Sequence, residues 1–136
     1  MTAAVRYYTS SGSTKKLADA VAEAAGVNAA DVSADLTERV DVLFIGASMY
    51  KFTFDPRIAD FLVRNRDKIG AVACFGASAS GKTPLAKLRT FCEEKGIKVL
   101  EDSFYCLGHF LMLHKDRPNA DDLRAAGEFA KKILKD

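Results

Sequence analysis

Between an apolar run, Ala3 to Tyr8, and an amphipathic stretch, Lys15 to Ala25, the chain reads Thr9-Ser10-Ser11-Gly12-Ser13-Thr14: five hydroxyl side chains around one glycine. Where a strand ends and a helix begins, such a segment turns backbone N–H groups and hydroxyl donors toward the positive end of a helix dipole, and the guest suited to that chemistry is a phosphate monoester. The same spacing also suits a plain polar turn in which Ser13 or Thr14 caps the helix. A second string competes for the phosphate. Gly76-Ala77-Ser78-Ala79-Ser80-Gly81-Lys82-Thr83 matches the nucleoside-triphosphate pattern GxxxxGK[ST], in which Lys82 would reach the β- and γ-phosphates and Thr83 would hold magnesium. Pro84 weakens this reading because it has no N–H to offer, and Thr83-Pro84 reads as N-cap and first helical residue, a late start for such a loop. Only one strand pattern remains downstream, and the nearest acid after apolar residues is Glu101. A phosphotransferase or ATPase is the weaker reading.

The remaining reactive side chains point to little chemistry of their own. His109 and His114 have no Cys, Asp or His at ligand spacing, so surface or capping roles are expected and no metal site. Cys74, Cys92 and Cys106 are odd in number, widely spaced and set in apolar surroundings, which predicts buried free thiols and no disulfide framework. Ser10 and Ser13 lack a GxSxG setting for acyl chemistry. No catalytic residue is expected.

Composition narrows the partners. With 20 basic and 18 acidic residues, net +2, dispersed over helix patterns without aromatic interleaving, no nucleic acid is called for. Apolar runs such as Val42 to Ala47 are far short of a bilayer span, and too few apolar residues precede Arg6 for a signal peptide, so a cytoplasmic location is expected. A chain of 136 residues fits one domain with its own core.

The elements that must position the hydroxyl segment follow in order. Leu17, Val21, Ala24 and Ala25 recur at helical spacing before Gly26 as a stop. Val27 to Ser33 is a polar edge-strand candidate, and Asp35 to Arg39 a turn or helical fragment. Asp41 to Ala47 and Ile69 to Phe75 are continuous apolar runs, as expected of strands covered on both faces. Asp55-Pro56 opens a helix with Ile58, Phe61 and Leu62 inward; Thr83-Pro84 opens another with Leu85, Leu88, Phe91 and Cys92. Ile97 to Leu107 is a last strand, bent at Glu101-Asp102-Ser103. His109 to Arg117 is a connection, and Asn119 caps a final helix carrying Leu123, Ala126, Ala130, Ile133 and Leu134.

Strands alternating with helices predict a three-layer α/β/α sandwich with a five-stranded parallel sheet. Ligands of such sheets bind at the carboxyl ends of the strands. Three loops are expected there: Thr9 to Thr14 with phosphate donors, Ser48 to Phe54 with aromatics, and Gly76 to Lys82, small and polar. Together they suit a flat ring system with a phosphate tail.

At this point the chain resembles the flavodoxin family, and its short-chain members in particular, over its whole length. The opening loop looks like that family's flavin mononucleotide (FMN) phosphate loop, with Tyr7 before it and Thr9, Gly12 and Thr14 in place. Phe104 to Leu123, with Cys106, Gly108 and Pro118-Asn119, is similar to stretches of small flavodoxin-domain proteins. The resemblance implies strand order 2-1-3-4-5 and FMN as cofactor. It places Thr9, Ser10, Ser11, Gly12, Ser13 and Thr14 around the phosphate. Ser48, Met49, Tyr50, Lys51 and Phe52 would flank the ring, and Ser78, Ala79, Ser80 and Gly81 would close over its other edge. The implied function is electron transfer between a reductase and acceptor enzymes, by a monomer or weak dimer. The alternatives are an FMN-dependent oxidoreductase acting on a quinone or porphyrinogen-like substrate, and an interaction module that binds no flavin. The chain departs from the family at Arg6, where an apolar strand residue is usual, at Asp19, in its third loop, which has no aromatic, and in its basic net charge. Tyr50 is then the stacking candidate, and Lys51 would favour the reduced flavin.

Overall fold

β-Branched and aromatic residues gather in short runs, and pairing those runs side by side satisfies their backbone groups while both faces stay apolar. The structure, a computed structural model, describes residues 1–9, 12–49, 53–78, 80–108 and 116–135. Strand β1 (Ala3–Tyr7) lies between β2 (Ala29–Asp31) and β3 (Val40–Gly46); β3 pairs with β4 (Ile69–Ser78), and β4 with β5 (Val99–Leu107), every pair parallel. The order is β2-β1-β3-β4-β5. Helices α1 (Ser13–Ala25), α2 (Pro56–Arg64), α3 (Leu85–Glu94) and α4 (Ala120–Lys135) complete the α/β/α sandwich read from the sequence.

Alternation along β3 shows how the layers form. Leu43 and Ile45 enter a core with Ile58, Phe61 and Leu62 of α2 and Leu88 and Cys92 of α3. Val42 and Phe44 enter the opposite core with Leu17 and Val21 of α1 and Ala126, Phe129 and Ala130 of α4. The helix starts follow local chemistry. Asp55 caps α2 by accepting from Arg57 N at 2.9 Å, with Pro56 as the first helical residue. Asn119 and Asp122 cap α4 reciprocally, each side chain accepting the other's backbone N–H, at 3.0 and 2.9 Å.

Three expectations are corrected. The loop expected from Gly76 begins later, because β5 offers a ladder to Gly76, Ala77 and Ser78, and β4 runs through all three. The N-cap of α3 is Pro84 and not Thr83, with Leu88 N donating to Pro84 O at 2.9 Å. The edge strand expected over Val27 to Ser33 shortens to Ala29–Asp31, whereas Asp35 to Arg39 follows the turn reading, with bends at Thr37 and Glu38. The bend in β5 is present: between the pairs Val72–Val99 and Cys74–Ser103, two steps along β4 answer four along β5, a bulge.

The segment after β2 is irregular but pinned. Arg6, the charge that stands out in β1, donates through Nε to Ala34 O at 2.8 Å and through Nη2 to Asp35 O at 3.3 Å. Asn65, only 2% exposed, accepts from Leu36 N at 2.9 Å and donates to Asp35 Oδ1 and Phe61 O. Removing that amide strands a buried N–H, which costs about 1–3 kcal/mol. Asn65→Ala is therefore expected to lower the unfolding free energy by about 2 kcal/mol in urea titration, and an unchanged midpoint would contradict the pinning role.

Candidate functional site

The carboxyl edge of the sheet is stepped. Gly46, the end of β3, sits opposite Phe75, while β4 continues to Ser78 beside Leu107. Into this step comes the start of α1. Gly12 is its N-cap at φ +89, the left-handed region that glycine enters at little cost, and a Cβ there would meet nothing within 4 Å. Ser13 and Thr14, read from sequence as possible caps, are instead the first two helical residues and are buried. Gly12 has no side chain with which to cap the helix, and no acid lies in its first turn.

The electrostatic consequence is a positive start to α1. The first helical bond runs from Lys16 N to Gly12 O at 3.3 Å, and the amides of a helix's first turn face its N-terminal end. Lys15 and Lys16 put cations at the positive end of the dipole, an unfavourable placement that solvent screens. Asp19 answers Lys15 at 3.0 Å. A bound anion reverses the sign of both effects.

The other loops converge on the same step. Thr9 Oγ1 accepts from Gly12 N at 3.1 Å, so its own proton is left to offer elsewhere. Ser48 Oγ donates to Ala77 O at 2.6 Å and meets Thr14 Oγ1 at 2.7 Å. Ser78 and Ser80 hydroxyls stand 3.2 Å apart, and Lys82 N donates to Ser80 Oγ, with Gly81 at φ +80. Gly108 leaves β5 so close to α1 that a Cβ would lie 3.1 Å from that of Ser13 and 2.7 Å from that of Ala77. Ser10, Ser11, Tyr50, Lys51, Phe52 and Ala79, with His109 and His114, lie outside the described residues. Of the site residues named from the sequence, Thr9, Gly12, Ser13, Thr14, Ser48, Met49, Ser78, Ser80 and Gly81 are described, and all belong to the segments at this edge.

A cleft of about 270 Å³ opens between Thr9, Ser48, Met49, Tyr8 and the start of α2. Its wall includes Arg57, whose guanidinium lies 4.6 Å over the Tyr8 ring and 3.1 Å from Asp55 Oδ2. Neither Tyr8 nor Arg57 stands out in the sequence. The signal available was the Asp-Pro-Arg run, whose cap geometry brings residue 57 back beside the carboxylate that starts the helix.

The rival string does not adopt a phosphate-wrapping loop. Gly76 to Ser78 belong to β4, and Lys82 and Thr83 precede α3, whereas the nucleotide motif needs them in the helix's first turn. The thiols are equally quiet. Burial pushes Cys74 up to about 12 and Cys92 and Cys106 to about 11, so all three stay protonated at neutral pH, and all are free. Among the described residues, no His, Cys, Asp and Glu cluster could hold a metal, and no helix is long and apolar enough to cross a membrane.

No profile of a known protein family matches the chain. A protein from Methanocaldococcus jannaschii, the uncharacterized protein MJ0298, is 33% identical over 140 aligned positions that cover 90% of each chain. The chain belongs to the family of this archaeal protein. Solved structures relate the family to a fold. A flavodoxin from the domain Archaea superposes with TM-score 0.75 at 18% identity, covering 99% of this chain and 97% of that one. Oxidised flavodoxin 1 from Bacillus cereus does so with TM-score 0.72 at 21% identity, over 98% and 97%. This member of the family therefore has the flavodoxin-like fold, as its strand order had indicated.

Proposed function

We propose that the protein binds FMN and carries electrons between redox partner proteins. The observation that carries the reading is the start of α1, with glycine at its N-cap and lysines where a free helix would favour acids. The donor set suits a phosphate monoester: a helix's first turn favours an anion at its N-terminus, the hydroxyl of Thr9 stands beside Gly12, and no described residue other than its chain neighbours lies within 4 Å of a Cβ built there. The ring would lie toward Ser48 and Met49, with Tyr50, Lys51 and Phe52 from the same loop and Ser78, Ala79, Ser80 and Gly81 opposite. The flavin itself supplies reversible one- or two-electron exchange. The chain's own residues bind and orient it and limit water on one face.

A substrate-specific oxidoreductase would need room for a second molecule. The carrier is favoured because solved structures that share this fold over nearly their whole length are flavodoxins. Titration with FMN, followed by flavin fluorescence, is expected to show quenching with Kd below about 1 μM, and riboflavin to bind at least about 10-fold more weakly for want of the phosphate. ATP with magnesium is expected not to compete. Failure of FMN to quench would overturn the reading and leave a flavin-free interaction module.

A further inference from the structure

The hydroxyl that the sequence assigns to the phosphate is the one the structure spends elsewhere. Thr14 is fully buried. Its methyl group packs against Gly46, where a Cβ would stand 2.9 Å from Thr14 Cγ2, and its hydroxyl meets Ser48 Oγ at 2.7 Å. Threonine is stiff at χ1, so with the methyl seated on Gly46 the hydroxyl has no low-cost swing toward the loop's open side. The direction of the bond follows from counting protons. Ala77 O can only accept, so Ser48 gives its single hydroxyl proton to that carbonyl at 2.6 Å. Thr14 must then donate to Ser48.

We infer that Thr14 and Ser48 form a latch that holds the start of α1, the end of β3 and the projecting end of β4 in one arrangement, and that Thr14 is a positioning residue and not a phosphate donor. Rested on the FMN reading, this leaves the phosphate to the first-turn amides and to Thr9, whose proton is not used by its bond from Gly12 N. One chain of two hydrogen bonds thus connects the start of α1, the segment after β3 and the end of β4. Loosening it disturbs the phosphate end and the ring end of the site together.

Four variants test the latch: Thr14→Val, Thr14→Ser, Ser48→Ala and the Thr14→Val/Ser48→Ala pair. Valine keeps the shape of threonine and strands no donor, since Ser48 still bonds Ala77. Two readouts apply, amide hydrogen exchange on the protein without flavin, and affinity for FMN and for riboflavin. Thr14→Val and Ser48→Ala are each expected to speed exchange at residues 12–15 and 47–49. Each should weaken FMN and riboflavin alike, by about 3- to 10-fold, with the double variant no worse than either single one and Thr14→Ser close to the parent. A loss in Thr14→Val confined to FMN and absent from Ser48→Ala would make Thr14 a direct phosphate donor and overturn the latch. So would unchanged exchange in both single variants. Because exchange is read without flavin, the latch can stand or fall whether or not the parent protein binds FMN.

Discussion

Gly12→Asp is expected to weaken FMN binding by about 100-fold or more while leaving the folded protein within about 1 kcal/mol of the parent. The carboxylate would project from a position where a Cβ meets nothing within 4 Å, at the mouth of the first-turn amides. Two like charges about 5 Å apart at an effective dielectric of about 20 repel by about 3 kcal/mol, close to the 2.7 kcal/mol of a 100-fold loss. Stability moves little because two effects oppose. Aspartate at φ +89 costs roughly 1–2 kcal/mol, and a negative charge at the helix N-terminus beside Lys15 and Lys16 returns roughly 0.5–1 kcal/mol. Fluorescence titrations with FMN and riboflavin, beside thermal unfolding, check the claim. Riboflavin affinity should hardly change. Equal losses for both ligands would mean that the phosphate does not sit at α1.

The largest effect on stability is expected at Gly76→Ala. A Cβ at this position would lie 2.1 Å from Ala47 O and 3.1 Å from a Tyr105 ring carbon. The first of these is backbone, fixed by the bond from Ala47 N to Phe75 O at 3.0 Å, so no rotamer change relieves it. Overpacking ordinarily costs about 1–3 kcal/mol, and a clash with a backbone carbonyl belongs at or above the top of that range. For a domain of this size the loss corresponds to a melting temperature lower by ~10 °C or more. The variant also separates two meanings of one glycine. As the first residue of a nucleotide loop, Gly76 would affect ATP binding and spare the fold. As a close-approach residue of β4, it affects the fold. Calorimetry showing an unchanged melting temperature would sink the second meaning.

Much of the site's frame was legible because it rests on local rules. Asp55-Pro56 and Asn119 mark helix starts by side chains that reach backbone groups two or three residues away, and both behave so. Gly26 ends α1 in the left-handed conformation for a reason internal to one residue. The continuous apolar runs at β3 and β4 announce strands covered on both faces, and alternating order then leaves few topologies. Arg6 and Asn65 were less legible. Their use depends on where the segment after β2 falls, and that segment has no regular structure of its own.

Taken alone, the amino-acid order determined the α/β/α class, the parallel sheet and a hydroxyl-rich segment at the junction of the first strand and first helix, since each depends on spacing within a few residues. The tertiary structure decided how long β4 is, which glycines permit close approach and where each hydroxyl proton goes. Ser78 is a strand residue only because Leu107 lies beside it. Thr14 gives its proton to Ser48, 34 positions away, and Ser48 gives its own to Ala77, 29 further on. Those partners meet only when the sheet has assembled and stepped past Gly46, so no pattern in the opening segment could show that one of its five hydroxyls had turned inward.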